Sequence, residues 1–302
     1  MQAVGGRVRA LAGLAAVAAA LALPSAASAG GLGIHWESYL PDMPPTSGPQ
    51  PHGVPGCRKP ALACIDREAR HMARIQARIG CDHRAVFDTT YLELTRTLRN
   101  TVASRPHFFS DPRYLYTEDA LFADVYFRTL ASYSAGRAVP PAWKIALDTA
   151  RSGQVNAAQD MLLGINAHVQ NDMPFVVAAL GVTTPSGQTR KPDHDAVNDV
   201  LDAAYQPVVQ AIQDRYDPFV MTTNPNWTNL DDIAGLEMVR GWREEVWRNA
   251  ERLIEATGDA QREQVAEQIE ANAAAWAQTI AAPQQYGYRA QRDAYCKSRL
   301  GR

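Results

Sequence analysis

Apolar residues recur every three or four positions along most of this chain, the spacing that places side chains on one face of an α-helix. In the segment 154–180 this spacing is seen at Val155, Ala158, Leu162, Ile165, Val169, Met173, Val176 and Leu180. The pattern predicts helices over 61–79, 82–103, 112–135, 140–151, 154–180, 194–215, 229–257 and 259–281. Only 219–223 has the composition of a short strand. We therefore expect an all-α fold, a single multi-helix bundle domain.

The start of the chain carries the pattern of a secretory signal peptide. Arg7 and Arg9 precede an unbroken apolar run over 11–23, and small residues at 27–29 form a cleavage site. The run is too short to span a bilayer comfortably. We therefore expect an exported protein, in the extracellular space or the cell envelope, without a transmembrane segment.

Composition divides the chain into three predicted parts. Residues 1–29 form the signal peptide, residues 30–60 form an extended arm rich in proline and glycine, and residues 61–302 form the all-α domain. The formal net charge is −2, and it becomes more negative once the arginines of the signal peptide are removed. A general nucleic-acid binder would need a basic face. We therefore expect no nucleic-acid partner, but a small-molecule or envelope substrate that the sequence does not identify.

The four cysteines all lie in the exported part of the chain. An even number of cysteines in an oxidising compartment favours two disulfides, for which three pairings exist. We prefer Cys57–Cys64, which closes a small loop, and Cys81–Cys296, which ties the C-terminal tail to the start of the helical body. A zinc–thiolate site is the alternative, but the sequence contains no Cys-x-x-Cys pair.

The candidate functional site is the pair His168 and Asp172, four residues apart in the predicted helix 154–180. Residues i and i+4 lie on the same helix face, so both side chains reach one point. Imidazole and carboxylate are both ligands of zinc, the metal that we expect here. The alternative is a buried hydrogen-bonded pair with a structural role. Because Pro174 cannot donate to the carbonyl group of Gln170, the helix should bend or end just after the site.

Three further residues are candidate ligands of the same metal. His194 begins the next predicted helix, and an antiparallel hairpin would bring it near the first pair. Asp124 and Asp88 each lie in an otherwise apolar helical segment, and bundle sites commonly take ligands from several helices. The alternative for each aspartate is an ion pair with the arginine four residues away, Arg128 for Asp124 and Arg84 for Asp88.

Two other motifs carry weaker predictions. His107 and Asp111 repeat the His-x-x-x-Asp spacing, but the flanking prolines predict a loop that ends in a helix cap. Asn226 opens an Asn-Trp-Thr glycosylation motif, which is short and common. No nucleophile elbow and no phosphate-binding glycine loop occurs, and the sequence assigns no catalytic residue.

Four segments together resemble a known family. They are Phe-Ala-Asp-Val-Tyr-Phe at 122–127, Leu-Leu-Gly-Ile-Asn-Ala-His-Val-Gln-Asn-Asp-Met-Pro at 162–174, the stretch 194–198, and Trp-Arg-Glu-Glu-Val-Trp-Arg-Asn-Ala at 242–250. Their order resembles the bacterial helical family catalogued as domain of unknown function 5995, over roughly residues 80 to 257. The resemblance implies an all-α domain and brings no activity with it.

A more distant similarity is to zinc-dependent phospholipase C and single-strand nuclease enzymes, which are secreted, helical and use a His-x-x-x-Asp pair. It implies metal-ligand roles for His168 and Asp172 alone. Those enzymes also use several further histidines and an N-terminal tryptophan, whereas the predicted mature chain begins at Gly30 with Trp36 internal. One or two metal ions, rather than three, are therefore the expectation.

Two functions follow from these observations. The first is a secreted metal-dependent hydrolase in which His168, Asp172, His194 and Asp124 hold zinc; the distant similarity points to phosphoester substrates. The second is a non-catalytic exported binding protein. In that protein His168, Asn166 and Asp172 form a buried hydrogen-bond network that fixes the helix packing.

Overall fold

The computed structural model describes residues 57, 59–220, 229–282 and 288–301, with the side chains of 229–234 left out. These residues belong to one compact unit of the chain, Leu32–Arg302. The predicted signal peptide, nearly all of the predicted arm and the glycosylation motif at Asn226 lie outside the described residues. The boundaries of the three predicted parts therefore stay predictions.

The described residues confirm the all-α prediction. The α-helices are α1 Leu62–Ile79, α2 Ala85–Ser104, α3 Pro112–Ser134, α4 Pro141–Ser152, α5 Ala157–Ile165, α6 Met173–Leu180, α7 Lys191–Arg215, α8 Asn229–Glu255, α9 Asp259–Ile280 and α10 Tyr288–Leu300. A π-helical segment, Asn166–Asp172, joins α5 to α6. Within the described ranges no strand forms, and pairing in 182–190 is limited to an isolated bridge between Thr183 and Thr189.

Local signals explain where several helices begin. The side chain of Asp111 accepts a hydrogen bond from the backbone N–H of Tyr114 at 3.1 Å, and Pro112 follows it in the first turn of α3. The predicted cap at the end of the His107 motif is therefore confirmed. A reciprocal capping box between Asn156 and Gln159 starts α5.

Several predictions of helix extent were wrong, and one helix was missed. Helix α2 begins at Ala85 rather than at 82. Helix α7 begins at Lys191 rather than at 194, because Pro192 suits the first turn of a helix. The segment 154–180 is not one α-helix, since its middle is π-helical. Helix α10 was not predicted, because its sequence is strongly polar overall.

The π-helical segment lies at the centre of the bundle. It packs against α3, α4, α8 and α9, and all of its residues except Val169 are buried. Helix α2 packs beside α1, α5 and α7. The polar residues of the sequence motif at 164–174 are therefore buried among helices rather than placed on the surface.

Both preferred disulfides are present. Cys57–Cys64 joins Cα atoms 5.4 Å apart, and Cys81–Cys296 joins Cα atoms 5.8 Å apart across 215 residues of sequence. No described cysteine is left for a zinc–thiolate site. None of the described helices is both long and apolar enough to cross a membrane.

Candidate functional site

The candidate site lies on the π-helical segment, the form of helix in which a backbone N–H bonds to the carbonyl group five residues earlier. The N–H of Met173 accordingly donates to the carbonyl oxygen of His168. Pro174 has no N–H with which to restore the α-helical bond to Gln170. The helix does not end at this point, because it continues as α6, and the predicted bend stays a prediction. Such π-helical turns are rare and occur frequently at functional sites.

His168 and Asp172 form a buried hydrogen-bonded pair. Nδ1 of His168 lies 2.9 Å from Oδ2 of Asp172. The same oxygen accepts a bond from Nε1 of Trp143 at 2.8 Å, and Oδ1 accepts one from the amide nitrogen of Asn171 at 2.8 Å. The carboxyl group of Asp172 is therefore held by three donors, and it fixes the orientation of the His168 ring.

The other ring nitrogen of His168 has no such partner. Nε2 is buried and makes no hydrogen bond to any described residue. Because Nδ1 faces an acceptor oxygen, we assign the ring proton to Nδ1, which leaves Nε2 as an acceptor. Burial lowers the pKa of His168, although the bond to Asp172 acts in the opposite direction. The imidazole is therefore neutral at neutral pH.

Aromatic rings surround the imidazole of His168. The ring of Phe122 stacks on it with centroids 3.5 Å apart, and Tyr91 meets it at 4.8 Å. Phe87 approaches it edge-on at 6.0 Å. Phe87 fits there because residue 164 is glycine: a Cβ atom at Gly164 would lie 2.2 Å from the Phe87 ring. The glycine of the sequence motif is therefore explained by the close approach of α2 to α5.

A cavity of about 170 Å³ lies beside His168, between α2, α5, the π-helical segment, α7 and α8. Most of the side chains that line it are apolar, among them Phe122, Ile165, Val169, Leu201, Val208 and Leu236. The lining also includes parts of Thr90, Tyr91, His168 and Tyr205, but Nε2 of His168 and the Tyr91 hydroxyl are themselves buried in the protein rather than exposed to the cavity. The Thr90 hydroxyl already donates to the carbonyl of Val86 at 2.9 Å.

The hydroxyl group of Tyr91 and the carboxyl group of Asp119 are further buried polar groups, and they act on each other electrostatically. Both the Tyr91 hydroxyl and Oδ2 of Asp119 lack a hydrogen-bond partner among the described residues. Burial, with the nearby Glu68 and Glu118, raises the pKa of Asp119 to about 8. Burial also raises the pKa of Tyr91 well above its ordinary value, and Asp119 and Glu68 add to that effect.

The sequence alternative for Asp88 was an ion pair with Arg84, and the structure does not contain this pair. Arg84 instead forms an ion pair with Asp82 at 2.8 Å, because Asp82 lies in the turn before α2 and reaches the guanidinium. Asp88 is fully buried and accepts a bond from the hydroxyl of Tyr126 at 3.2 Å. Burial raises the pKa of Asp88 to about 7.

His194 belongs to a separate network around a buried arginine. Its Nε2 lies 3.0 Å from the carbonyl oxygen of Arg243, and the Arg243 guanidinium donates to the carbonyl oxygen of His194 at 2.5 Å. The guanidinium also donates to the side chain of Asn198 at 2.9 Å. Burial lowers the pKa of Arg243 to about 10. This network fastens α7 to α8.

Asp124 forms an ion pair with Arg128 at 2.7 Å. This is the alternative that the sequence offered for Asp124. Of the four predicted ligands, the structure thus brings only His168 and Asp172 into mutual contact. Within the described ranges no three His, Cys, Asp or Glu side chains are grouped so as to hold a metal ion. The zinc site stays a prediction.

Asn166 lies in a second polar network, not in that of His168. Its amide nitrogen donates to the carbonyl oxygen of Ala273 at 2.8 Å, and its oxygen accepts from Gln170 at 2.6 Å. Asn272 donates to Gln170 at 3.0 Å. These bonds fasten the π-helical segment to α9. The buried network that the sequence suggested is therefore divided between two sets of partners.

Sequence reasoning missed Trp143, Tyr91 and Asp119 as members of the site. Trp143 follows two prolines and carries no local signal for its bond to Asp172. Asp119 and Phe122 are three residues apart on α3, and that spacing could have placed Asp119 on the face that meets His168.

Comparison with known proteins gives one match. No curated protein and no solved structure matches the chain. The distant similarity to zinc-dependent phospholipase C and single-strand nucleases thus rests on His168 and Asp172 alone. Residues 65–283 match the family of unknown function DUF5995, and the chain therefore belongs to that family.

Proposed function

We propose that this protein binds a small, largely apolar molecule inside the helical bundle. The observation that carries the proposal is the cavity of about 170 Å³, whose wall is almost wholly apolar and includes part of His168. A well-formed and mostly apolar pocket is the usual form of a small-molecule site.

The size of the cavity favours a bound molecule. Protein interiors are close-packed and hold few voids larger than a water molecule. An engineered apolar cavity of about 150 Å³ in another protein binds benzene. A ring or a short alkyl chain is therefore of suitable size.

His168 contributes part of its side chain to the cavity wall in this proposal. Asp172 and Trp143 hold the imidazole in a fixed orientation through Nδ1. The role of the pair would then be to shape the cavity rather than to catalyse a reaction.

Two glycines of α8 allow a matched test. Gly235 lines the cavity, whereas Gly241 is exposed on the same helix, and a Cβ atom at either would meet no heavy atom within 4 Å. Gly235→Leu should fill the cavity, and Gly241→Leu should leave it open. Both changes replace a helical glycine with a strong helix former, so their effects on helix stability are similar.

The readout is binding of toluene by calorimetry, with melting temperature as a second measure. We expect toluene to bind the unmodified protein and Gly241→Leu, raising the melting temperature with concentration, and not to bind Gly235→Leu. Equal binding by the two variants, or no binding to the unmodified protein, would rule out the cavity as the site.

A zinc-dependent hydrolase is the second candidate. The observation that favours it is the Asp172–His168 pair, because a carboxylate bonded to one ring nitrogen commonly orients a histidine whose other nitrogen holds a metal. The described residues supply one such nitrogen and no grouped set of three ligands. Zinc bound there would activate a water molecule for hydrolysis.

Metal analysis by mass spectrometry separates the two candidates. Protein purified without chelators and without a histidine tag would be compared with His168→Ala. Stoichiometric zinc that is lost in the variant would support the hydrolase, and folded protein free of metal would exclude it.

We also propose that the protein acts outside the cytoplasm. The signal-like N-terminus motivates this proposal, and both disulfides are of the kind that persists in oxidising compartments. Cell fractionation with N-terminal sequencing tests it: export should yield a chain that begins near Gly30, and an intact chain in the cytoplasm would contradict it.

A further inference from the structure

We infer that the cavity takes one unbranched alkyl chain, the tail of an amphiphile whose polar end stays outside in solvent. This inference rests on the proposed function, because it names the kind of apolar molecule that the cavity binds. Three observations carry it: the described wall offers almost no polar partner, the lining extends far along two helical stretches, and the cavity is not fully enclosed.

The described wall of the cavity gives a polar group of a ligand almost nothing to bond to. Nε2 of His168 and the hydroxyl of Tyr91 are buried in the protein rather than exposed to the cavity. The hydroxyl of Thr90 donates to the carbonyl of Val86 at 2.9 Å. A polar group inside the cavity would give up its hydrogen bonds to water and gain few in return. The part of the ligand that lies inside is therefore a hydrocarbon.

The lining extends along two helical stretches for a similar distance. On α7 it runs from Leu201 to Ile212, and on α5 with the π-helical segment it runs from Ala158 to Val169. At a rise of about 1.5 Å per residue, the stretch of α7 is about 16 Å long. An extended chain of about 12 carbons, with C–C bonds of about 1.5 Å, has a similar length. A volume of about 170 Å³ spread over this distance makes a narrow slot that holds one chain.

The two stretches run in opposite directions along the slot. Ala158 and Ile212 belong to one packed cluster, so they mark the same end. That end is buried, since Ala158 is 5% exposed and Ile212 is 0% exposed. Leu201 and Val169, at the other limits of the two stretches, are partly exposed. Because the cavity is not fully enclosed, an alkyl chain that lies along it keeps its polar end in water.

The test is calorimetry of the full chain with alkylphosphocholines from hexyl to tetradecyl, each below its micelle concentration. Burial of one CH₂ group should raise the affinity about fourfold, so the affinity should climb steeply with each added carbon. The rise should continue beyond hexyl and level off by about 12 carbons, where the chain fills the slot. One molecule should bind per protein chain.

The outcomes separate this inference from the proposed function. Toluene binding together with an affinity that stops rising at the hexyl chain would leave the proposed function standing and overturn the inference. Binding of neither toluene nor any alkylphosphocholine would overturn both. Vesicles of a two-chain phosphatidylcholine should not pull the protein down on sedimentation. Co-sedimentation would assign the slot to a lipid within a bilayer and overturn the assignment to a free single-chain amphiphile.

A variant at the buried end tests the length of the slot. Ala158→Leu adds three carbons to the wall there, so the affinity should level off about two to three carbons earlier. Ala203→Leu is the matched control, because Ala203 is exposed on α7 and does not line the cavity. Melting curves show that both variants fold. The same chain-length profile in the two variants would overturn the inference, and the series on the unmodified protein decides it if Ala158→Leu does not fold.

Discussion

Buried polar atoms without partners set the character of the site at the scale of single residues. Nε2 of His168, the hydroxyl of Tyr91 and Oδ2 of Asp119 are three of them. Most buried polar groups in proteins are hydrogen-bonded, so each exception calls for an explanation. Protonation accounts for the third, because burial raises the pKa of Asp119 to about 8.

Asp119→Asn tests that protonation. The pKa of Asp119 is about 8 in the folded protein and about 4 in an unfolded chain. Between these values the folded state holds one proton more, so the free energy of unfolding falls as the pH rises. The variant should lose the part of this pH dependence that comes from Asp119, which is up to about 1.4 kcal/mol of unfolding free energy per pH unit. Its curve of stability against pH should therefore be shallower.

The measurement is urea unfolding between pH 6.5 and 8. Below about pH 6.5 the lowered pKa values of His168 and His194 act in the opposite direction, since the unfolded state then binds their protons. The free energy of unfolding of Asp119→Asn, minus that of the unmodified protein, should be larger at pH 8 than at pH 6.5. Parallel curves would show that the Asp119 carboxyl group is charged throughout.

Gly164→Ala tests the close approach of α2 to the site. The added methyl group would lie 2.2 Å from the ring of Phe87, so the ring must move. We expect a loss of about 1–3 kcal/mol in the free energy of unfolding and weaker toluene binding, because Phe87 lines the cavity. Gly241→Ala, exposed on α8, should instead stabilise the protein by up to about 1 kcal/mol. Equal effects of the two changes would refute the packing argument.

The segment 154–180 shows, at the scale of an element, what periodicity predicts and what it misses. Its apolar spacing predicted a helix on a core-facing stripe, and α5 and α6 confirm most of it. The π-helical middle was not predicted, because hydrophobic spacing does not distinguish hydrogen bonds to the fifth residue from those to the fourth. Pro174 was the local signal. It indicated that the α-helical hydrogen bonding is interrupted, but not that a π-helix replaces it.

Helix α10 was missed because its sequence is polar. A buried arginine helps to hold it against the bundle. Arg292 is 2% exposed, and its guanidinium donates to Asp160 and to Nδ1 of His83, each at 2.6 Å. Nε2 of His83 then bonds to Asp293 at 2.9 Å. These contacts join α10 to α5 and to the turn before α2.

Arg292→Met should therefore cost about 3–5 kcal/mol of the free energy of unfolding, because it leaves Asp160 buried without its cation. Arg299→Met, exposed on the same helix, should change it by less than about 0.5 kcal/mol. Denaturation in guanidinium chloride measures both. A similar small cost for the two variants would mean that the buried pair is not needed to hold α10.

At the scale of the whole molecule, the sequence predicted the fold class and both disulfides, because periodicity and cysteine count are properties of the chain. The His168–Asp172 contact was also predicted, since i, i+4 spacing is local. The positions of His194 and Asp124 were not, because they depend on how distant helices pack. The cavity belongs to the same class of features, since its lining comes from several helices.

The two disulfides should contribute unequally to stability. Replacing both cysteines of Cys81–Cys296 by serine releases a loop of 215 residues, for which chain entropy gives about 5 kcal/mol. The same change at Cys57–Cys64 releases a separation of 7 residues, for about 2 kcal/mol. The melting temperatures of the two double variants show which disulfide contributes more to stability. A larger loss from the Cys57–Cys64 pair would contradict it.

The most direct test of the central claim is methyl NMR of the unmodified protein during a titration with toluene. We expect the methyl signals of Ile165, Val169 and Leu201, which line the cavity, to shift in a saturable way. The signals of Ile254, which is exposed on α8, should stay fixed. The same titration of Gly235→Leu should produce no shifts. Shifts confined to surface methyl groups, or none in the unmodified protein, would contradict the claim that the cavity beside His168 is a binding site.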